Sequence, residues 1–123
     1  MELKPGTRVY VAGPYTRPDP CVNTKRAVDA GQELLDAGLV PFVPHLTHFW
    51  HTMRPNDYKV WLAYDLHWLR QCEVLLRLSG ESSGANKEVT EAERLGIPVY
   101  HGSAWSLIHG HPSEADLDAR GGY

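Results

Sequence analysis

Short apolar runs alternate with amphipathic helical patterns along this chain, and that alternation constrains its fold more than any other feature. A short apolar run bounded by glycine, proline or a polar turn is typical of a strand buried inside a sheet. Gly13 and Pro14 end the first such run, and Pro44 ends the second. Strands are predicted at residues 9–12, 39–43, 73–78 and 97–100.

Helical spacing separates these strands. Asn23 is placed to cap the first helix, whose apolar residues repeat at i, i+3, i+4, i+7 and i+8 until Gly38 ends it. Residues 44–56 are polar and aromatic and are predicted to form a long loop, and such loops in small domains are often functional. Further helices are predicted at residues 57–71, 85–95 and 104–108.

The order β-α-β-α-β-α-β predicts a mostly parallel sheet with right-handed crossovers and helices on both faces. The predicted fold class is α/β, a three-layer Rossmann-like (flavodoxin-like) arrangement with four to five strands. A chain of 123 residues has room for one such domain. We predict a single domain over residues 1–111, followed by a polar tail at 112–123.

Composition excludes several classes of function. Hydrophobic residues make up 42% and charged residues 22%, and the net charge of −3 offers no basic surface to a nucleic-acid polymer. No apolar run approaches the roughly 20 residues of a membrane span, and residues 1–6 do not resemble a signal peptide. Cys21 and Cys72 lack CxxC spacing and are predicted to be free thiols. We expect a cytoplasmic protein without a membrane or nucleic-acid partner.

In parallel sheets of this kind, ligands bind beyond the carboxyl ends of the strands. The predicted loops that meet there are residues 13–22, 44–56 and 79–85. Gly13-Pro14 does not continue as GxGxxG, and no GxxxxGK[ST] sequence is present. Neither a dinucleotide cofactor nor a P-loop is therefore predicted, and no cofactor is expected.

Glu88 is the first unusual carboxylate. In the predicted helix it lies in the first turn and shares a face with Ala92 and Leu95, so it is expected to point inward or into a cleft. It could simply stabilise the helix dipole, a contribution of about 0.3–1 kcal/mol. The same position would keep the carboxylate ionised, which suits a nucleophile or a group that stabilises an oxocarbenium ion.

Asp65 is the second unusual carboxylate. Helical spacing places it between Trp61 and Trp68, where loss of water raises the pKa of a carboxyl group unless a partner is present. A functional acid is one interpretation. A buried aspartate bonded to Tyr64, Arg70 or the backbone is the other.

Two further segments carry polar groups near the predicted ligand loops. Ser82-Ser83-Gly84 directly precedes the Glu88 helix, and helix N-termini attract phosphates and hydroxyl groups, although small residues are common at such turns without a ligand. His45, His48 and His51 recur every third residue. They favour a pocket wall over a zinc site, because no HExxH sequence accompanies them, and no metal is predicted. Arg77 interrupts the third strand, and its partner is left open between an acidic group and a ligand.

Three segments together resemble the nucleoside 2-deoxyribosyltransferase superfamily. The order and spacing are similar to the 2'-deoxynucleoside 5'-phosphate N-hydrolase branch, and still more similar to a family of small bacterial and phage proteins related to it. The resemblance spans roughly residues 8–100. The segments are residues 9–15, 64–74 and 82–88, the last followed by Ala92 and residues 96–99.

The resemblance implies roles for matching positions. Glu88 matches the nucleophilic glutamate that attacks the anomeric carbon, Asp65 the aspartate that protonates or orients the leaving base, and Tyr10 a tyrosine that lines the site. Gly13 and Gly84 match glycines of the sugar- or phosphate-binding turns, Ser82 a serine that binds the 5'-phosphate, and His45 a histidine after the second strand. Pro14 and Thr16 stand where that branch has serine and arginine, so two of its phosphate contacts are missing.

The expected activity is hydrolysis of an N-glycosidic bond or (deoxy)ribosyl transfer on a nucleoside or nucleotide, through a glycosyl ester on Glu88. Aromatic residues including Tyr64 could stack on the base. Relatives imply a homodimer or larger homo-oligomer. A non-catalytic nucleotide or nucleotide-sugar sensor is the alternative, and a metal-dependent hydrolase built on the histidine loop is a third. The candidate substrate-binding residues are Gly13, Pro14, Tyr15, His45, His48, Trp50, Trp61, Ser82, Ser83 and Gly84.

Overall fold

The sheet of the computed structural model, which describes residues 3–121, is parallel throughout and has the strand order β2-β1-β3-β4. Tyr10 in the central strand β1 lies opposite Phe42 of β2 and Leu75 of β3, and β3 continues the sheet to β4. This arrangement confirms the predicted α/β class. The strands are β1 (Arg8–Ala12), β2 (Val40–Phe42), β3 (Val74–Arg77) and β4 (Val99–His101).

Helices cover both faces of the sheet, because successive strand residues point to opposite sides. Val9 and Val11 face one core, which α1 and α5 cover, whereas Tyr10 and Ala12 face a second core beneath α3 and α4. None of the helices within residues 3–121 is long and apolar enough to cross a membrane. The helices are α1 (Pro20–Asp36), α2 (Thr47–Met53), α3 (Tyr58–Leu69), α4 (Ser83–Arg94), α5 (Ala104–His109) and α6 (Glu114–Gly121).

The prediction that Asn23 caps α1 is wrong. Asp19 is the N-cap, its carboxylate accepts from the backbone N–H of Cys21, and Pro20 occupies the first helical position. Proline is favoured there because its missing N–H would have no helical partner. Asn23 is buried instead, and its amide donates to the carbonyl oxygens of Tyr15 and Arg17, which ties the loop after β1 to the helix.

The prediction of a long loop at residues 44–56 is also wrong. A short 3₁₀ helix at Pro44–Leu46 leads directly into α2, which ends at Met53. None of the α2 residues is buried, so this helix has no apolar stripe from which its period could be recognised.

The predicted polar tail contains α6. The side chain of Ser113 accepts from the backbone N–H of Asp116, and Ser103 at the start of α5 donates to the Asp116 carboxylate over 2.8 Å. These bonds tie the segment to the domain. The division at residue 111 stays a prediction, and residues 1–2 and 122–123 lie outside the described residues.

Candidate active site

A pocket of about 880 Å³ opens at the carboxyl ends of the strands, where sequence analysis placed it. Segments that follow β1, β2 and β3 all contribute to its wall. The predicted site residues that line it are Gly13, Tyr15, His45, Trp61, Asp65, Ser82, Ser83, Gly84 and Glu88. Eleven further residues complete the wall, among them Arg17, His51, Asn56 and Tyr58.

Glu88 points inward, as its helical position predicted, and is only 6% exposed. The helix begins at Ser83 rather than near residue 85, so Glu88 lies in its second turn, beyond the reach of the helix dipole. The expectation of a carboxylate held ionised by the helix start is therefore wrong. Burial raises the pKa of Glu88 to about 7, although a hydrogen bond from Tyr10 and the charge of Arg77 both oppose that rise.

Tyr10 lies beneath the pocket rather than in its wall. The side chain is fully buried in β1, and its hydroxyl donates a hydrogen bond to Oε2 of Glu88. Burial raises the pKa of the Tyr10 phenol well above its usual value, and the charges of Glu88 and Asp65 add to the effect. Tyr10 is consequently a neutral donor that holds one carboxylate oxygen of Glu88.

Asp65 enters the same pocket from α3. Burial, with the nearby charge of Glu88 as a second cause, raises the pKa of Asp65 to about 8. Its Oδ1 is buried and has no hydrogen-bond partner among residues 3–121, so the interpretation of an aspartate pinned by Tyr64, Arg70 or the backbone finds no support at this oxygen. The direction of this pKa agrees with the loss of water that sequence analysis expected at Asp65.

The Ser82–Gly84 turn forms the wall next to Glu88. Ser82 caps α4 by accepting the backbone N–H of Ala85 over 3.0 Å. Tyr58 leans over the turn from the start of α3, where a Cβ at Gly84 would lie 3.3 Å from its hydroxyl oxygen. The ammonium of Lys87 lies 5.1 Å from the centre of the Tyr58 ring. Glycine at position 84 thus lets α3 and α4 approach closely at the pocket.

His45 is buried against the loop after β1, and its Nε2 lies 2.9 Å from the Pro14 carbonyl oxygen. Burial lowers the pKa of His45, so the neutral ring donates from Nε2 and keeps Nδ1 as an acceptor. That Nδ1 has no partner among the described residues. Pro14 itself does not line the pocket; it supplies only the carbonyl that orients His45.

The other two histidines of this segment have separate partners. His48 is outside the pocket wall, with Nδ1 2.7 Å from the Tyr15 hydroxyl and Nε2 3.7 Å from the Cys21 sulfur. His51 lines the pocket, and its Nδ1 accepts the indole N–H of Trp61 over 2.8 Å and the backbone N–H of Asn56 over 3.2 Å. Within the described chain, no three histidine, cysteine or acidic side chains converge as metal ligands.

Trp50 is half exposed and does not line the pocket. Its ring packs edge-on against the rings of Trp61 and Tyr64, with ring centres 5.4 Å and 6.0 Å apart. Of the α2 residues that sequence analysis assigned to the pocket, His51 lines it, whereas His48 and Trp50 do not. The α2 helix, which was not predicted, determines which of these side chains turn toward the pocket.

The structure shows which protein groups contact Arg77. The guanidinium is buried and donates to the backbone carbonyl oxygens of Leu78 and Gly80 and to the side-chain oxygen of Asn86. Its partners are thus turn and helix groups, with Glu88 near enough for its charge to be felt.

Comparison with solved structures shows a nucleoside 2-deoxyribosyltransferase-like fold, as the resemblance implied. A 2-deoxyribosyltransferase from Bacillus psychrosaccharolyticus has 20% identity and a TM-score of 0.59, and the match covers 79% of this chain and 72% of that one. A 2-deoxyribosyltransferase from Leishmania mexicana has 16% identity and a TM-score of 0.58, over 90% and 76%. A conserved protein from Enterococcus faecalis V583 has 20% identity and a TM-score of 0.54, over 78% and 62%.

Curated protein sequences include no match to this chain. A family model, in contrast, matches residues 7–101, from the first residue before β1 to the last residue of β4. The matched region contains every strand of the sheet and the whole pocket wall. The chain therefore belongs to the family described as domain of unknown function DUF7768.

Proposed function

We propose that the protein is an enzyme that cleaves the N-glycosidic bond of a nucleoside or nucleotide and passes the sugar to water or to a second base. One observation carries this proposal: two carboxyl groups, Glu88 on α4 and Asp65 on α3, share a pocket. Their pKa values of about 7 and about 8 leave Glu88 the first to ionise, while Asp65 keeps its proton. Such a pair suits a nucleophile and an acid.

In the first step, a carboxylate oxygen of Glu88 attacks the anomeric carbon of the sugar. The bond to the base breaks, its electron pair goes to the base nitrogen, and Asp65 donates the proton that makes the base a neutral leaving group. Because Tyr10 holds Oε2, the attacking oxygen in this scheme is Oε1. The products are a free base and a glycosyl ester on Glu88.

In the second step, water or another base attacks the anomeric carbon of the ester. The proton of the attacking group goes to the Asp65 carboxylate, and the carbon–oxygen bond to Glu88 breaks. The Glu88 carboxylate and the neutral Asp65 are then both restored. The geometry suits hydrolysis and transfer equally, because either acceptor uses the same pair of carboxyl groups.

The pocket wall offers groups for the rest of a nucleoside. Trp61 and Tyr58 provide aromatic surfaces beside Asp65, which suits a base. The Ser82–Gly84 turn at the start of α4 and Arg17, which line the same pocket, suit a sugar hydroxyl or a phosphate. In this assignment the base lies on the α3 side, near Asp65, and the sugar lies on the α4 side, near Glu88. The N-glycosidic bond then lies between the two carboxyl groups.

Incubation with a panel of ribo- and deoxyribonucleosides and their 5'-monophosphates tests the proposal, with free base measured by chromatography. A second base added to each reaction distinguishes transfer from hydrolysis. The Glu88→Ala variant is run beside the wild type. Free base from at least one substrate, absent with the variant, supports the enzyme. Thermal stabilisation by a nucleotide with no base released overturns it in favour of a sensor.

We also propose that the protein forms a homodimer or a larger homo-oligomer. Large apolar side chains on α2 remain 51–73% exposed, next to the pocket opening, and such surface is typical of an interface. They are Phe49, Trp50 and Met53. Sedimentation equilibrium tests this: the wild type should have a multiple of the 13.8 kDa chain mass, and Phe49→Asp with Met53→Lys should lower it. A monomer at all concentrations contradicts the proposal.

A further inference from the structure

Arg77 is a buried cation at the end of β3, directly before the turn that leads to the helix of Glu88. Only 8% of the residue is exposed. Its guanidinium donates to the carbonyl oxygen of Leu78, to that of Gly80 over 2.9 Å, and to Oδ1 of Asn86 over 3.1 Å. Burying a charged group costs free energy unless its polar atoms are paired, and here the guanidinium donates to three oxygen atoms.

The three bonds connect the turn after β3 to the helix that follows it. Leu78 and Gly80 belong to the turn, whereas Asn86 lies on α4 two residues before Glu88. A second arginine holds the same turn from outside: Arg26 of α1 donates to the carbonyl oxygen of Ser79 over 2.7 Å and to its hydroxyl over 2.8 Å. The start of α4 is thus fixed by two cations, of which only Arg77 is buried.

The charge of Arg77 has no direct carboxylate partner, since no ion pair involves it within residues 3–121. It acts through space on Glu88, lowering the pKa of that carboxyl group against the effect of burial. The other groups that face Glu88 are Tyr10 of β1, which donates to it, and Asp65 of α3, across the pocket. Among the described residues, Arg77 is the cation whose charge acts on Glu88.

We propose that Arg77 is a positioning residue for Glu88, one that fixes the start of α4 and supplies the permanent positive charge against which the buried carboxylate ionises. Its part in catalysis rests on the proposed function. Its effect on the charge of Glu88 does not, and it can be measured without any substrate.

Titration of the Glu88 carboxyl group by carbon-13 NMR tests the proposal on the full chain with labelled glutamate. The Glu88→Gln variant assigns the signal. The wild-type midpoint is expected at about pH 7. Arg77→Met should raise it by about one unit, because the charge of Arg77 lowers the pKa of Glu88 and the variant removes that charge. Arg77→Lys keeps the charge and should retain a midpoint close to that of the wild type.

Arg26→Met is the matched control. It removes one positive charge and one attachment of the same turn, but from an exposed residue, and should leave the midpoint unchanged. Arg77→Gln retains N–H donors for the turn and tests the charge alone if Arg77→Met does not fold. A midpoint that stays at the wild-type value in a folded neutral variant overturns the proposal. A shift of a full unit in Arg77→Lys overturns it as well.

Activity gives a second readout once a substrate is known. Arg77→Gln should lower the rate of base release at pH 7 about fivefold if the midpoint rises by one unit from about 7, and the rate should recover in part between pH 7 and pH 8. A purely structural role would lower the rate equally at every pH. If the midpoint shifts but no variant or wild type releases base, the proposed function fails and the assignment of Arg77 stands.

Discussion

The hydroxyl of Tyr10 donates a hydrogen bond to Oε2 of Glu88 at the buried end of the pocket. Tyr10 is fully enclosed between β2 and β3, so water cannot replace this donor. The bond stabilises the ionised carboxylate and lowers the pKa of Glu88, whereas burial raises it. The central strand of the sheet thereby sets both the position and the charge of the carboxylate.

Removing this donor should make Glu88 harder to ionise. Tyr10→Phe keeps the ring in the core and removes only the hydroxyl, so we expect a folded protein with about tenfold less base release at pH 7 and partial recovery at higher pH. Tyr64→Phe, outside the pocket wall, is the control and should behave as wild type. Equal losses at every pH in Tyr10→Phe would contradict the role given to the hydroxyl.

The dependence of kcat/KM on pH should be bell-shaped, with its maximum between about 7 and 8. Below pH 7 Glu88 is protonated and cannot attack, and above pH 8 Asp65 has lost the proton that it donates. Asp65→Asn should remove the alkaline limb and keep the acid limb. An alkaline limb that persists in this variant would show that another group is the acid.

The loss of activity in Asp65→Asn should depend on whether the departing base needs a proton. Guanosine-type nucleosides need a proton on the departing base, whereas a 7-methylated guanine nucleoside carries a positive charge and leaves without one. We expect the variant to lose at least about 100-fold on the first and to change little on the second. Both rates are measured by chromatography. If the rate of base release falls equally on the two substrates, Asp65 does not act as the acid and its role is structural.

Replacing Gly84 by alanine should raise the stability of the protein and weaken its binding of ligand. Gly84→Ala in the first turn of α4 should gain up to about 1 kcal/mol of helix propensity, but its Cβ would lie 3.3 Å from the Tyr58 hydroxyl and must push it aside. A raised Tm with weaker ligand binding, measured by tryptophan fluorescence, is the expected result. Thr90→Ala, an exposed position on the same helix, is the control for propensity. Unchanged binding would show that Tyr58 moves freely.

The fold was predictable because its signals are local. The strand at residues 9–12 is an uninterrupted apolar run, and Glu88 shares a helix face with apolar neighbours, so it was placed inside correctly. The start of α1 was missed because Asp19 and Asn23 are equally good caps by type, and only Pro20 at the first helical position favours Asp19.

The pocket wall was predicted less well because it depends on α2. That helix has no buried residue to show its period, so His48, Trp50 and His51 were all assigned to the pocket, whereas of these three His51 lines it. Tyr58 was missed for a similar reason, since its contact with Gly84 joins two helices far apart in the sequence. The partners of Arg77 are backbone carbonyls of a turn, which no pattern of residue types reveals.

Mass spectrometry of acid-quenched reactions tests the central claim most directly. With a nucleoside that the wild type cleaves, the peptide containing Glu88 should carry one glycosyl group during turnover, and Glu88→Gln should form no adduct while losing at least about 1,000-fold in base release. Glu88→Gln should still bind the nucleoside, and a change in intrinsic tryptophan fluorescence measures that binding. Base release by Glu88→Gln near the wild-type rate, or an adduct on another residue, would contradict the account.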